Sequence, residues 1–229
     1  MYAGPMSSYF FRFLLILLVP FSFFGQDTRY LSQHEIALNY SPPSRWSYNF
    51  EITNRNTFPE EDKPYSVQHL EFSHFTTYES GFYGSVSLGL RYRNRDWFEP
   101  GRSNEVRLTQ QYNYARTYNQ YRLGHRLRVE QRFYDHETVY RARYRLNLDF
   151  PLQGLRLDDG EFYTAVGLET LYSISALEKP DLNQRLTVTL GNQISGTLKL
   201  QIAAEYRKED LTLDQENRVF FYTAAKIKL

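Results

Sequence analysis

The 229-residue sequence contains no cysteine. That absence excludes disulfides, thiolate metal sites, thiol catalysis and an N-terminal lipoprotein anchor. Net charge is also nearly missing: 27 Lys and Arg stand against 26 Asp and Glu, giving +1. A whole-chain field that would steer the protein to nucleic acid is therefore excluded. There is no phosphate loop, no Gly-rich nucleotide fingerprint and no GxSxG motif. Long apolar runs are confined to one place, where Arg12 precedes Phe13–Phe24 and Gly25-Gln26-Asp27 follows. One positive charge, about twelve apolar residues and a polar continuation form a secretory signal peptide, expected to span residues 1–25. A membrane-spanning helix needs roughly 20 apolar residues, and no later segment comes near that length.

What is present is aromatic and alternating. Tyr, Phe and Trp make up 17% of the chain, although its mean hydropathy is −0.59. Helical membrane proteins are not that polar; a β-barrel can be, because half of each strand faces water. Within 120–150, Arg122, Gly124, Arg126, Arg128, Glu130 and Arg132 alternate with Leu123, His125, Leu127, Val129, Gln131 and Phe133. Arg141, Arg143, Arg145, Asn147 and Asp149 then alternate with Tyr140, Ala142, Tyr144, Leu146, Leu148 and Phe150. A strict period of two means strands with opposite faces of opposite character. Arginines dominate the polar face, where only Glu130 and Asp149 are acidic. A soluble sandwich or lipocalin-type barrel would need the inward face to be apolar, because unpaired arginines do not fill a dry core. The pattern therefore predicts a transmembrane antiparallel up-and-down β-barrel in the bacterial outer membrane, apolar outside and polar inside.

The same alternation recurs in eleven segments. The first, Gln33–Tyr40, is the weakest. Bacterial single-chain barrels have even strand numbers with both ends on one side, so the expectation is ten wall strands within a range of ten to twelve. Residues 26–44 are set apart as an N-terminal segment and 45–229 form the barrel. Connections alternate long and short from Thr53 onward. The rhythm breaks at Asp135–Glu137, which is short where a long loop is due, and at Pro151–Gly160, which is long where a turn is due.

Several of these stretches together resemble the bacterial family DUF2490. They are Leu123–Phe133 (LGHRLRVEQRF), Arg141–Leu146 (RARYRL), Pro151-Leu152, Glu169 and Asn183-Gln184-Arg185. The resemblance implies an outer-membrane β-barrel and carries no activity with it. Outer-membrane lipid and the barrel-assembly machinery are the partners it implies, and oligomeric state stays open.

The candidate site is a polar lumen network of Arg107, Arg126, Arg128, Glu130, Arg132, Arg141, Arg143, Arg145, Glu169 and Arg185. In a narrow interior these groups would pair across strands and hold the barrel shut, a structural or transport-like role. The alternative is a cationic lining, forming a small anion-selective pore or binding an acidic ligand. A membrane-embedded lipid-modifying enzyme is the third reading, but no catalytic residues are assigned. His125 falls on the apolar row as a packing or interface residue, and Asp135-His136 and Asp158-Asp159 open on opposite rims. His69 and Glu71 share a strand face without metal-site spacing, so no metal or other cofactor is expected. Arg91, Arg93 and Arg95 beside Trp97-Phe98 read as a strand end at lipid headgroups rather than a nucleic-acid patch.

Overall fold

The computed structural model describes residues 28–59, 64–211 and 215–229. The expected signal peptide, residues 1–25, lies outside the described residues. Eleven strands form: β1 (Thr28–Tyr40), β2 (Trp46–Thr57), β3 (Ser66–Ser80), β4 (Gly84–Asn94), β5 (Glu105–Tyr118), β6 (Tyr121–Phe133), β7 (Thr138–Pro151), β8 (Phe162–Ile174), β9 (Asp181–Ser195), β10 (Leu198–Glu209) and β11 (Glu216–Lys228). Each pairs antiparallel with its chain neighbours. β1 and β11 pair parallel and close the barrel.

The all-β barrel expected from the alternation is the fold, and its wall holds eleven strands, one more than the ten favoured and inside the expected range of ten to twelve. The strand that the sequence pattern rates weakest is the closing one. Its contrast is poor because the buried positions include Leu31 and Ala37, while His34 lies on the exposed face. Neighbours on both sides fix its register instead. Thr28–Asn39 pairs with Asn217–Lys228, and Leu31–Tyr40 pairs with Thr57–Tyr48. An odd strand number places the ends on opposite rims, contrary to the expectation that both lie on one side. We call these the N-rim, where Thr28 sits, and the C-rim, where Leu229 sits.

At the N-rim lie 95–104, 134–137, 175–180 and the described residues 58–59, 64–65, 210–211 and 215; the connections at the C-rim are 41–45, 81–83, 119–120, 152–161 and 196–197. Short turns thus gather at the C-rim, and the two breaks in rhythm are real features of the chain. The two-residue turn 119–120 places Asn119 in the left-handed region (φ 47°), where its short polar side chain is tolerated. Gly81 (φ 87°) does the same between β3 and β4.

The two faces separate cleanly. Ile36, Leu88, Leu90, Leu127, Leu168 and Ile202 are all more than half exposed on the outer wall. Near the C-rim the outer wall carries Tyr40, Trp46, Tyr121 and Phe162; near the N-rim it carries Tyr30, Phe133, Tyr140 and Tyr172. Inside, two aromatic rings lie flat against glycines on the neighbouring strand, Phe75 on Gly89 and Tyr163 on Gly191. A Cβ at either glycine would collide with ring atoms, so these glycines keep the rings folded along the wall and out of the lumen.

Candidate functional site

Period-two geometry sends one row of every strand inward. Toward the N-rim half those rows meet as a belt of glutamates bridged by arginines. Glu71 on β3 accepts from Arg91 Nη1 at 3.0 Å and Arg93 Nε at 2.5 Å, both from β4. Glu105 on β5 gathers the most donors. Arg132 reaches its two oxygens at 2.9 Å each, Arg93 Nη1 lies at 3.2 Å, Arg107 Nε at 2.7 Å and the Tyr134 hydroxyl at 3.0 Å. Glu130 on β6 accepts from Arg143 Nη1 at 3.0 Å, with Arg107 and Arg128 at 3.6 Å.

The belt continues around the wall. Glu169 on β8 accepts from Arg143 Nη2 at 2.8 Å and faces Arg185 at 3.8 Å. On β10, Glu205 accepts from Arg207 Nε at 2.5 Å, Thr187 Oγ1 at 2.7 Å and the Tyr222 hydroxyl at 3.0 Å. Glu209 binds Arg218 Nη1 at 2.8 Å. Across the seam the link is partly aromatic: Arg207 stacks on Phe220 at 3.6 Å and Arg55 faces the same ring at 4.9 Å, while Arg55 Nη2 donates to Gln33 at 2.8 Å.

Glu130 and Glu105 are 0% and 1% exposed, so these charges persist only because each is paired several times over. Buried ions left without partners are strongly disfavoured. Arginine suits the task because its planar fork donates along several directions at once.

The ten residues expected from sequence all lie on the inward face, but they do not behave alike. Arg107, Arg128, Arg132, Arg143 and Arg185 join the belt through Glu105, Glu130, Glu169 and Glu209. Arg126, Arg141 and Arg145 differ. Arg126 Nε donates to Asn113 Oδ1 at 2.8 Å and Arg141 Nε to Ser173 Oγ at 2.7 Å. Arg145 lies over Gly167 and opposite Glu169, whose Oε2 is the oxygen that Arg143 and Arg185 approach. Among the described residues no carboxylate lies within 4.0 Å of these three arginines.

The sequence reading left out Glu71, Arg91, Arg93, Glu105, Glu205, Arg207 and Glu209. Arg91 and Arg93 do not sit at a headgroup surface: they are lumen residues paired to Glu71 and Glu105. Their alternation with Leu90 and Tyr92 carried that signal, and the adjacent Trp97-Phe98 masked it. Phe220 could not be found by parity, since it is an apolar ring on the polar row, made acceptable by two guanidinium faces.

The remaining candidates separate in space. His125 Nδ1 pairs with the Tyr144 hydroxyl at 2.8 Å on the outer wall. Asp135-His136 lies at the N-rim and Asp158-Asp159 at the C-rim. Glu71 is engaged by Arg91 and Arg93, while His69 stands 3.9 Å away. No group of three metal-ligating side chains forms among the described residues.

Inside the wall lies a cavity of about 1980 Å³. Its lining reaches from Asn119 and Gln120 at one rim to Asp210 and Glu216 at the other. Among the described residues the lining comprises sixteen arginines and three lysines against eleven aspartates and glutamates. Leu155, Arg156 and Leu157 bring the long 152–161 connection to the C-rim mouth of this space.

A closed eleven-stranded barrel with a buried Arg/Glu network around its interior is the class that fold and site define. Comparison with known families places the chain within it: the family model described as "Protein of unknown function (DUF2490)" matches residues 34–218, and the chain belongs to that family. No curated protein matches the chain.

Proposed function

We propose that this protein is an outer-membrane β-barrel with a transport-like role, its cationic lumen accepting small anions. The observation that carries the reading is the cavity running from rim to rim with arginine and lysine in clear excess. A lining of one sign in a low-dielectric wall concentrates counter-ions. Eleven strands also enclose more room than the roughly eight that side chains alone can fill. The belt then has two roles: it holds the wall closed, and it narrows the passage to solutes that can displace water from guanidinium groups.

Membrane residence is supported by the outer face. Strands of about thirteen residues rise roughly 34 Å at 3.4 Å per residue and a 40° tilt, enough for the ~25 Å apolar band of such barrels. Aromatic residues lie near both rims of the wall, and between them exposed aliphatic side chains such as Leu88, Leu90, Leu127, Leu168 and Ile202 occupy its middle. Several polar groups on that wall satisfy one another, as a non-aqueous surrounding favours. Gln110 and Gln131 exchange amide hydrogen bonds at 3.1 and 3.2 Å, and His34 bonds Thr223 at 2.7 Å across the seam.

The test is electrical. Purified barrel in a planar bilayer under a potassium chloride gradient should give a current whose reversal potential favours chloride. Arg143→Ala should reduce that preference. A bilayer that stays silent, or a reversal potential favouring potassium, would sink the transport reading. The belt would then be a purely structural network, which is the second reading its multiple pairing supports. Fractionation of cells should place the chain with outer-membrane markers.

A further inference from the structure

We infer that Arg126 and Arg145 form a binding site for a small divalent oxyanion, of which a free phosphate group is the type. This inference rests on the reading of the lumen as an anion-accepting space. The two residues are direct cross-strand partners on β6 and β7, and the next inward pair toward the N-rim, Arg128 and Arg143, is again arginine opposite arginine. Four guanidinium-bearing positions thus form a square on two strands.

Like charges placed directly opposite repel, and in the neighbouring arginine pairs of the belt a glutamate relieves that repulsion. Arg128 and Arg143 share Glu130. Arg107 and Arg132, also direct partners, share Glu105. Arg126 and Arg145 share no carboxylate within 4.0 Å among the described residues; the facing Glu169, opposite Arg145 on β8, gives its Oε2 to Arg143. Arg126 uses Nε on a neutral acceptor, Asn113, which leaves the two terminal nitrogens of its fork for another acceptor.

A second feature seats Arg145. Its guanidinium lies over Gly167 on β8, where a Cβ would come within 2.7 Å of Nη2 and 3.0 Å of Nε. Glycine at this position lets the guanidinium lie against the wall instead of projecting across the lumen. Both arginines line the main cavity, so a solute entering from the C-rim reaches them without passing the belt. Two forks on adjacent strands match a tetrahedral oxyanion that accepts several N–H donors at once. A single carboxylate would balance only one of the two charges.

Isothermal titration of inorganic phosphate into the purified, detergent-solubilised barrel tests the site. Wild type should show saturable binding that weakens with ionic strength. Arg126→Gln and Arg145→Gln should each lower affinity about tenfold or more, the loss expected for a charge-assisted hydrogen bond. Arg102→Gln, in the exposed 95–104 connection, should change nothing. Gly167→Ala keeps every charge but displaces Arg145, and should also weaken binding. Arg145→Lys keeps the charge without the fork and guards against loss of folding, with heat-modifiable gel mobility confirming a closed barrel. Absence of saturable phosphate binding, or binding unchanged in the Arg126→Gln/Arg145→Gln double variant, would overturn the site. Displacement of phosphate by a short-chain phosphatidic acid at equal potency would overturn its assignment to a free solute in favour of a lipid headgroup. A current without anion preference sinks the transport reading alone; phosphate heats indifferent to both arginines sink this one alone.

Discussion

Glu105 shows how a single side chain is fixed by its surroundings. Five partners converge on two oxygens: Arg93, Arg95, Arg107, Arg132 and Tyr134. Removing the carboxylate would leave several buried guanidinium groups facing one another. Glu105→Gln should therefore destabilise the barrel by about 3–5 kcal/mol, the usual cost of breaking a buried ion pair from one side. The measurement is the urea midpoint for unfolding of the refolded barrel. Glu99→Gln is the contrast. Its partner Arg102 is exposed in a rim connection, and exposed pairs contribute about 0–1 kcal/mol, so its midpoint should stay close to wild type. If the two variants shift equally, the belt is solvated and the multiple pairing is not what holds it.

At the scale of strands, the alternating rows make separate predictions for the two faces. Leu127 is exposed on the outer wall while its neighbours Arg126 and Arg128 point inward. In lipid, Leu127→Arg should cost about 2–4 kcal/mol near the bilayer midplane, read as the same urea midpoint in vesicles. In detergent that can rearrange around the charge the shift should shrink. Gly89→Val addresses the inner face. It forces the Phe75 ring off the wall and should cost about 1–3 kcal/mol, as overpacking does.

These elements also show what the sequence made legible. The inward and outward rows of β6, β7, β9 and β10 could be read directly, because period-two contrast is strong where Arg faces Leu or Val. Which arginine meets which glutamate could not, since that depends on register between strands as much as on position along one. Arg107 meets Glu130 from the next strand, and Arg185 meets Glu209, which is 24 positions away in sequence. β1 faded because Leu31 and Ala37 face inward there. Phe75 and Phe220 broke parity for reasons visible only with their cover, a glycine in one case and two guanidinium faces in the other.

For the molecule as a whole, eleven strands put the two chain ends on opposite rims. In vesicles with one-way insertion, a protease site placed just before Thr28 and another just after Leu229 should be cut from opposite sides. Cleavage of both from one side would mean an even wall, with β1 detached from it. The C-rim carries the two-residue turns at 119–120 and 196–197, so by the habit of outer-membrane barrels it would face inward.

The parallel β1–β11 ladder carries a consequence for how the barrel is made. Every other ladder joins neighbours along the chain and zips from a local turn, whereas this one joins residues 189 apart, such as His34 and Thr223. Loop-closure entropy grows with separation, and non-local pairing is the slow part of folding. The wall can grow hairpin by hairpin, but until the final join it is a curved sheet with two bare edges, each a template for another copy. A chain lacking residues 28–40 would be held at that stage. In refolding experiments it should form strand-rich aggregates whose yield rises with protein concentration, while the full chain escapes by closing on itself.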